Sequence, residues 1–211
     1  PVQVRRLADA AAFTGHLASL GVDLPFDSEV VVGSGSPLAQ PLEVRDGSAG
    51  TLVVGNRWTV LPMEGWDGTT DGRPTDLVRR RWARFGESGA KLVWGGEAVA
   101  VGPGGRANPN QLCIGPDSPG DLAELRSVLV DAHVGRFGSA DDLLVGLQLT
   151  HSGRWAQPEG EAAPRTAYRH PLLDGRVGAS GQSVLSDDEL DGLSDAFVEA
   201  AVVAHDAGFA F

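Results

Sequence analysis

The sequence predicts an α/β chain of (β/α)8 TIM-barrel type, made of parallel βα units behind a short N-terminal extension. Three observations predict it. Apolar strand-like runs alternate with amphipathic helical stretches from Trp58 onward. The strands are apolar on both faces, as parallel strands covered by helices are. The segments after strands are long and chemically varied, whereas the one after the first barrel helix, Gly86 to Ala90, is short. That asymmetry places the working face at the strand C-termini.

The elements follow in order. Leu7, Ala10, Phe13, Leu17 and Leu20 recur at helical spacing, and Gly21 stops the helix they predict. A Gly/Ser/Pro-rich loop runs from Val32 to Pro41, so residues 1–40 read as an extension and residues 41–211 as the barrel segment. Leu42-Glu43-Val44 and Leu52-Val53-Val54 flank a Gly/Asp-containing turn and read as a hairpin. Trp58 to Leu61 is a buried strand, broken by Pro62 and Gly65. A loop from Glu64 to Arg73 leads to a helix over Thr75 to Phe85, with Pro74 just ahead of it, where a fixed φ does no harm. A strand at Leu92 to Trp94 precedes a Gly/Pro/Asn loop from Gly102 to Asn110, and a helix follows over Leu122 to Phe137. Leu143 to Leu149 is a nearly continuous apolar strand, and a long loop extends from Thr150 to Leu185. Ser186 and Glu189 form a capping box for a helix that continues through Ala204 to Gly208. Gly208 to Phe211 reads as the start of a fourth strand, and the expectation is that further chain, or a second polypeptide, continues the barrel. A doubly wound open sheet has the same rhythm. Its first strand, however, usually runs into a Gly-rich phosphate turn, and here it runs into Pro62-Met63-Glu64-Gly65.

Composition excludes several classes of function. Of 211 residues, 42% are apolar and 21% charged, a globular balance. A net charge of −11 disfavours nucleic acid and anionic lipid as partners and suits small-molecule chemistry. The single Cys113 excludes an internal disulfide and a cysteine-rich metal site, and no pair of histidines has zinc-ligand spacing. No metal is expected in this chain, and its setting is read as reducing and cytoplasmic. The polar, basic opening is not read as a signal peptide, and no apolar run reaches the length of a membrane span. The missing initiator Met is read as processing or trimming. Gly102-Pro103-Gly104-Gly105 is a turn and not a phosphate loop, because no helix opens from it.

Four strings, in order and correctly spaced, resemble the Old Yellow Enzyme family of FMN-dependent oxidoreductases. They are Asn56-Arg57-Trp58-Thr59-Val60-Leu61-Pro62-Met63, Glu97-Ala98-Val99-Ala100-Val101 with Gly105-Arg106, Gly146-Leu147-Gln148-Leu149-Thr150-His151-Ser152-Gly153-Arg154, and Ser186-Asp187-Asp188-Glu189-Leu190 with Ala207-Gly208-Phe209. The resemblance covers about Pro41 to Phe211. It implies barrel strands one to three and the start of strand four, the N-terminal half of the fold.

The resemblance also implies FMN lying across the strand C-termini, with NADH or NADPH as reductant. Leu61, Pro62 and Met63 would pass along the flavin ring, and Ala98 would let its polar edge approach. Gln148 would pair with the pyrimidine edge; an amide can both donate to and accept from adjacent N–H and C=O groups, and a polar side chain on an apolar strand needs a partner. The alternative partner is neighbouring backbone. His151 and Arg154, at the barrel mouth, either face the flavin or its substrate or form an ion pair with the nearby loop; Tyr168, Arg169 and His170 belong either to a lid or to an ordinary exposed loop. Glu64 departs from the family, which carries Thr or Cys there to donate a hydrogen bond near the flavin. An ionised carboxylate cannot donate and would oppose an anionic reduced flavin. Either Glu64 is protonated, or it turns away, or the chemistry differs.

The family's paired substrate-binding residues after strand four, and the loops that hold the FMN phosphate, fall beyond Phe211. The 211 residues alone are therefore expected to bind FMN poorly. The expected activity is ene-reduction, with amine- or enoyl-thioester-oxidising relatives as the runner-up; in some of those an iron–sulfur cluster sits in the other half. The contrasting expectation is a non-catalytic half-barrel that needs a partner chain. The partners expected are a small-molecule substrate and the remainder of the barrel, in an oligomer.

Overall fold

The computed structural model describes residues 2–46 and 50–211. The chain forms two compact units, Pro1–Gln40 and Pro41–Phe211. In the first, helix α1 (Ala10–Leu20) is capped by Asp9, whose carboxylate accepts the Ala12 N–H at 2.8 Å, and ends at Gly21 in the left-handed region. The helix starts later than the apolar period suggests: Asp9 takes the cap, and Leu7 stays in extended backbone. Phe13 meets Phe26 edge-to-face at 4.9 Å.

The second unit opens with the antiparallel pair β1 (Leu42–Asp46) and β2 (Gly50–Val54), register Val44 opposite Leu52. The turn between them lies outside the described residues. Strand β3 (Thr59–Val60) leads to helix α2 (Asp76–Glu87), strand β4 (Leu92–Val93) and strand β5 (Ala98–Ala100). Helix α3 (Ser118–Phe137) precedes strands β6 (Leu144–Val145) and β7 (Gln148–Thr150). A one-turn helix α4 (Asp174–Val177) interrupts the long third loop, and helix α5 (Asp187–Asp206) follows. Ser186 caps α5 with the reciprocal Glu189 bond that the sequence predicts. Helix α3 begins four residues earlier than the apolar period indicates, because its first turn, Ser118-Pro119-Gly120-Asp121, carries no apolar signal.

All barrel pairings are parallel. β3, β4 and β6 form one sheet in that order, and β5 pairs with β7 above it. Each of the second and third barrel strands is thus split in two. The break in the second falls at Gly95 and Gly96, both at positive φ; the break in the third falls at Gly146-Leu147. Phe209–Phe211 lies along the other edge of the third strand, where Ala210 N–H donates to Val145 C=O at 2.9 Å and Leu147 N–H to Phe211 C=O at 3.0 Å. The fold is therefore an arc of three βα units and the first residues of a fourth strand.

Helices α2 and α3 cover the outer face of this arc. Val78 and Trp82 from α2, Leu122, Leu125 and Leu129 from α3, and Val93 and Val145 from the sheet form the core, with Trp82 edge-on to Phe209 at 6.1 Å. Trp82 is fully buried, and truncating such a side chain to Ala destabilises by about 3–5 kcal/mol. The opposite face carries exposed Leu61, Met63, Trp94 and Phe211. No described helix is long and apolar enough to cross a membrane.

Candidate functional site

The C-terminal ends of the first three barrel strands converge at Gly95. A Cβ built there would stand 2.7 Å from the Gln148 nitrogen and 3.1 Å from Pro62 Cβ, so only glycine allows the three strands this approach. Ala98 pairs directly with Gln148 in the β5–β7 ladder, and Ala98 N–H donates to Met63 C=O at 3.1 Å. Pro62, Met63, Ala98 and Gln148, predicted from separate strings, therefore meet at one level of the arc. Leu61 and Met63 are each 65% exposed, Ala98 is buried, and the Gln148 side chain is exposed without a hydrogen-bond partner among the described residues. The result is a small apolar shelf with one uncommitted amide at its edge. Glu64 also points to solvent.

The shelf stands on a polar foundation. Gly65 N–H donates to Glu97 Oε1 at 2.8 Å, and Gly65 C=O accepts from Asn108 Nδ2 at 3.0 Å. Glu97 and Asn108 are both fully buried. Glu97 Oε2 accepts from Arg81 Nη2 at 2.6 Å, and Arg81 also grips Asp67 at 2.7 and 3.2 Å. Burial pushes the Glu97 carboxyl up, and the Arg81 guanidinium opposes that shift. Gln111 Nε2 donates to Ala98 C=O at 2.8 Å, tying the second loop beneath the same strand. The sequence string Glu97-Ala98 marks this position without revealing the foundation. The available signal was a carboxylate inside an apolar strand, which demands a partner.

Arg154 and His151 lie elsewhere on the rim. Arg154 is paired with Asp174 and donates to Tyr168 C=O at 3.0 Å, and its guanidinium lies 5.4 Å from the Tyr168 ring centre. Asp174 is buried and also accepts from Arg169 Nε at 2.6 Å and from the His170 N–H at 3.0 Å; these bonds, Arg169 foremost, hold its carboxyl below the usual range. Arg154 thus staples the third loop. His151 lines a cleft of about 480 Å³ with Gly105, Arg165, Leu185 and the Glu189 and Leu193 side of α5. Strand side chains alternate, so Leu149 and His151 continue one face and Gln148 and Thr150 the other. Burial first, then Arg165, lowers the His151 pKa, and its Nδ1 accepts the Gly153 N–H at 3.1 Å. No group of three or more His, Cys, Asp or Glu residues suited to a metal occurs among the described residues.

No family model and no curated protein matches the chain. Solved structures do. Morphinone reductase is 25% identical with a TM-score of 0.54, over 82% of this chain and 46% of its own. The Old Yellow Enzyme homologue from Zymomonas mobilis is 22% identical with a TM-score of 0.57, over 82% and 46%. Old Yellow Enzyme from Pichia sp. AKU4542 is 19% identical with a TM-score of 0.59, over 83% and 45%. The chain spans less than half the length of each of these three.

Proposed function

We infer that this chain, whose fold is that of part of an Old Yellow Enzyme barrel, is the flavin-ring-binding portion of an FMN-dependent oxidoreductase. The observation that carries the reading is the meeting of Pro62-Met63, Ala98 and Gln148 at Gly95: an apolar shelf ending in an exposed amide with unused hydrogen-bonding capacity. The donor set fits the group. A flavin ring is broad and planar with one polar edge, and the shelf offers Leu61 and Met63 to the plane and Gln148 to the edge. The backbone at Gly95 has no Cβ to intrude.

When bound, FMN would supply hydride chemistry, with NADH or NADPH as donor and an activated alkene as acceptor. The residues of this chain orient and shield. Gln148 would hold the ring's polar edge, the shelf would exclude water from one face, and the Arg154–Asp174 staple holds the third loop beside the mouth. The remainder of the barrel, on the same or a second polypeptide, supplies the substrate and phosphate contacts, and the assembled protein is an oligomer.

The protein complete with the rest of its barrel, purified and titrated with FMN, is expected to quench flavin fluorescence and to acquire a structured absorption band. NADH or NADPH should then bleach that band without air, and an α,β-unsaturated ketone should restore it. A folded protein, complete with the rest of its barrel, that takes up no flavin would sink the proposal.

A further inference from the structure

The rim of the first strand is held unusually firmly. Met63 C=O is fixed by Ala98 N–H, and two residues later both polar groups of Gly65 are taken by buried side chains, its N–H by Glu97 and its C=O by Asn108. A Cβ at Gly65 would come within 2.7 Å of Arg81 Nη2, of Asp67 Oδ1 and of Glu97 Oε1 alike, so the clamp closes tightly on the main chain. Glu64 lies between the two anchors. The peptide joining it to Met63 is trans, so with Met63 C=O turned to the second strand, Glu64 N–H points away from that strand. Among the described residues this N–H has no backbone acceptor.

We propose that Glu97, assisted by Asn108, is a positioning residue that fixes the Met63–Gly65 main chain and thereby presents the Glu64 N–H, in place of a side-chain hydroxyl, to a ligand on the shelf. This rests on the flavin reading for the identity of the ligand, and on geometry alone for the clamp. A buried carboxylate is a strong choice for the task. Its Oε1 accepts from the Gly65 N–H, and Arg81, itself anchored to Asp67, holds its Oε2 and fixes its orientation.

The test compares wild type with Glu97→Gln, Glu97→Leu and Asn108→Ala in the protein complete with the rest of its barrel, by hydrogen exchange over residues 61–68 without flavin and by FMN titration with the flavin absorption spectrum. Glu97→Leu should speed exchange there by roughly tenfold or more, because the buried acceptor of the Gly65 N–H is lost. Exchange at α3 should stay unchanged. FMN affinity should fall by about the same factor, with a shift of the flavin band. Glu97→Gln retains an acceptor for Gly65 and should restore most of both. Asn108→Ala, which leaves the ion pair intact, should loosen the same segment more weakly and guards against a misfolded Glu97→Leu. Unchanged exchange in both Glu97→Leu and Asn108→Ala overturns the clamp. Loosened exchange with wild-type FMN affinity and spectrum overturns the positioning role. A wild-type protein that binds no FMN overturns the flavin reading and with it the role toward flavin, while the exchange data still decide the clamp.

Discussion

Gln148 and His133 show how differently two polar residues in apolar surroundings can be used. Gln148 stands exposed at a strand end with its amide uncommitted. Replacing it with Leu should weaken FMN binding by about 1–3 kcal/mol, the net value of one or two hydrogen bonds, with little change in melting temperature. A flavin titration and a thermal melt separate the two effects. His133 is fully buried at the opposite end of the arc and fully engaged. Its Nδ1 lies 2.9 Å from Gly86 C=O, so it carries the proton, and Nε2 accepts from Lys91 Nζ at 2.9 Å. Lys91 in turn pairs with Asp142 at 2.6 Å. Burial above all, and Lys91 also, depress the His133 pKa, while the Gly86 carbonyl and, more weakly, Asp142 oppose them. A depressed folded-state pKa means that the unfolded chain binds the proton first. The stability from His133 is therefore complete above the ordinary histidine value, near 6.5, and drains away as pH falls below it toward the folded value. Denaturant midpoints measured between pH 8 and pH 5 should fall for wild type and fall less for His133→Gln.

At the scale of elements, the third loop is a built structure with Asp174 as its hub. Removing that carboxylate leaves the Arg154 and Arg169 guanidinium groups without their shared partner and frees the His170 N–H. Limited proteolysis of Asp174→Ala should cut between residues 160 and 180 at least tenfold faster than wild type, as a roughly 2–4 kcal/mol loss of local stability implies; equal rates would show that the staple carries little. Much at this scale was legible in the sequence. The βα rhythm and the Ser186–Glu189 cap both appear in the structure, because periodicity and capping are local signals. That Pro62, Ala98 and Gln148 come together was carried by the resemblance alone and not by any local pattern. The strand breaks were not legible. Leu143 to Leu149 reads as one apolar run, yet its ladder stops at Val145 and resumes at Gln148, since pairing depends on the neighbouring strand's bend at Gly95-Gly96. The foundation was hidden for a similar reason. Nothing in Arg79-Arg80-Arg81 distinguishes the one arginine that folds back onto Glu97, sixteen residues on.

At the scale of the whole molecule, one face of the arc is covered by helices and the other is not. Leu61, Met63, Trp94 and Phe211 remain exposed on the uncovered face, with Trp94 and Phe211 edge-to-face at 5.0 Å. Apolar surface of this kind calls for a cover. A hydrophobic dye should fluoresce strongly with this 211-residue chain alone and weakly when the rest of a barrel is supplied on the same or a second polypeptide. Equal brightness in the two preparations would count against the remainder of the barrel as that cover.

The bend at Gly95-Gly96 reaches further than local geometry. Because the ladder is interrupted there, the arc has two storeys: a lower one, β3–β4–β6, and an upper one, β5–β7, which carries the shelf on one side and sends Val99 into the helix-covered core on the other. Substitutions at an exposed upper position such as Gln148 leave that core untouched, whereas a change at Val99 reaches it directly. A natural lineage could vary its chemistry at the exposed positions above that joint while inheriting the buried ones unchanged, with the paired glycines as the seam along which the two sets part.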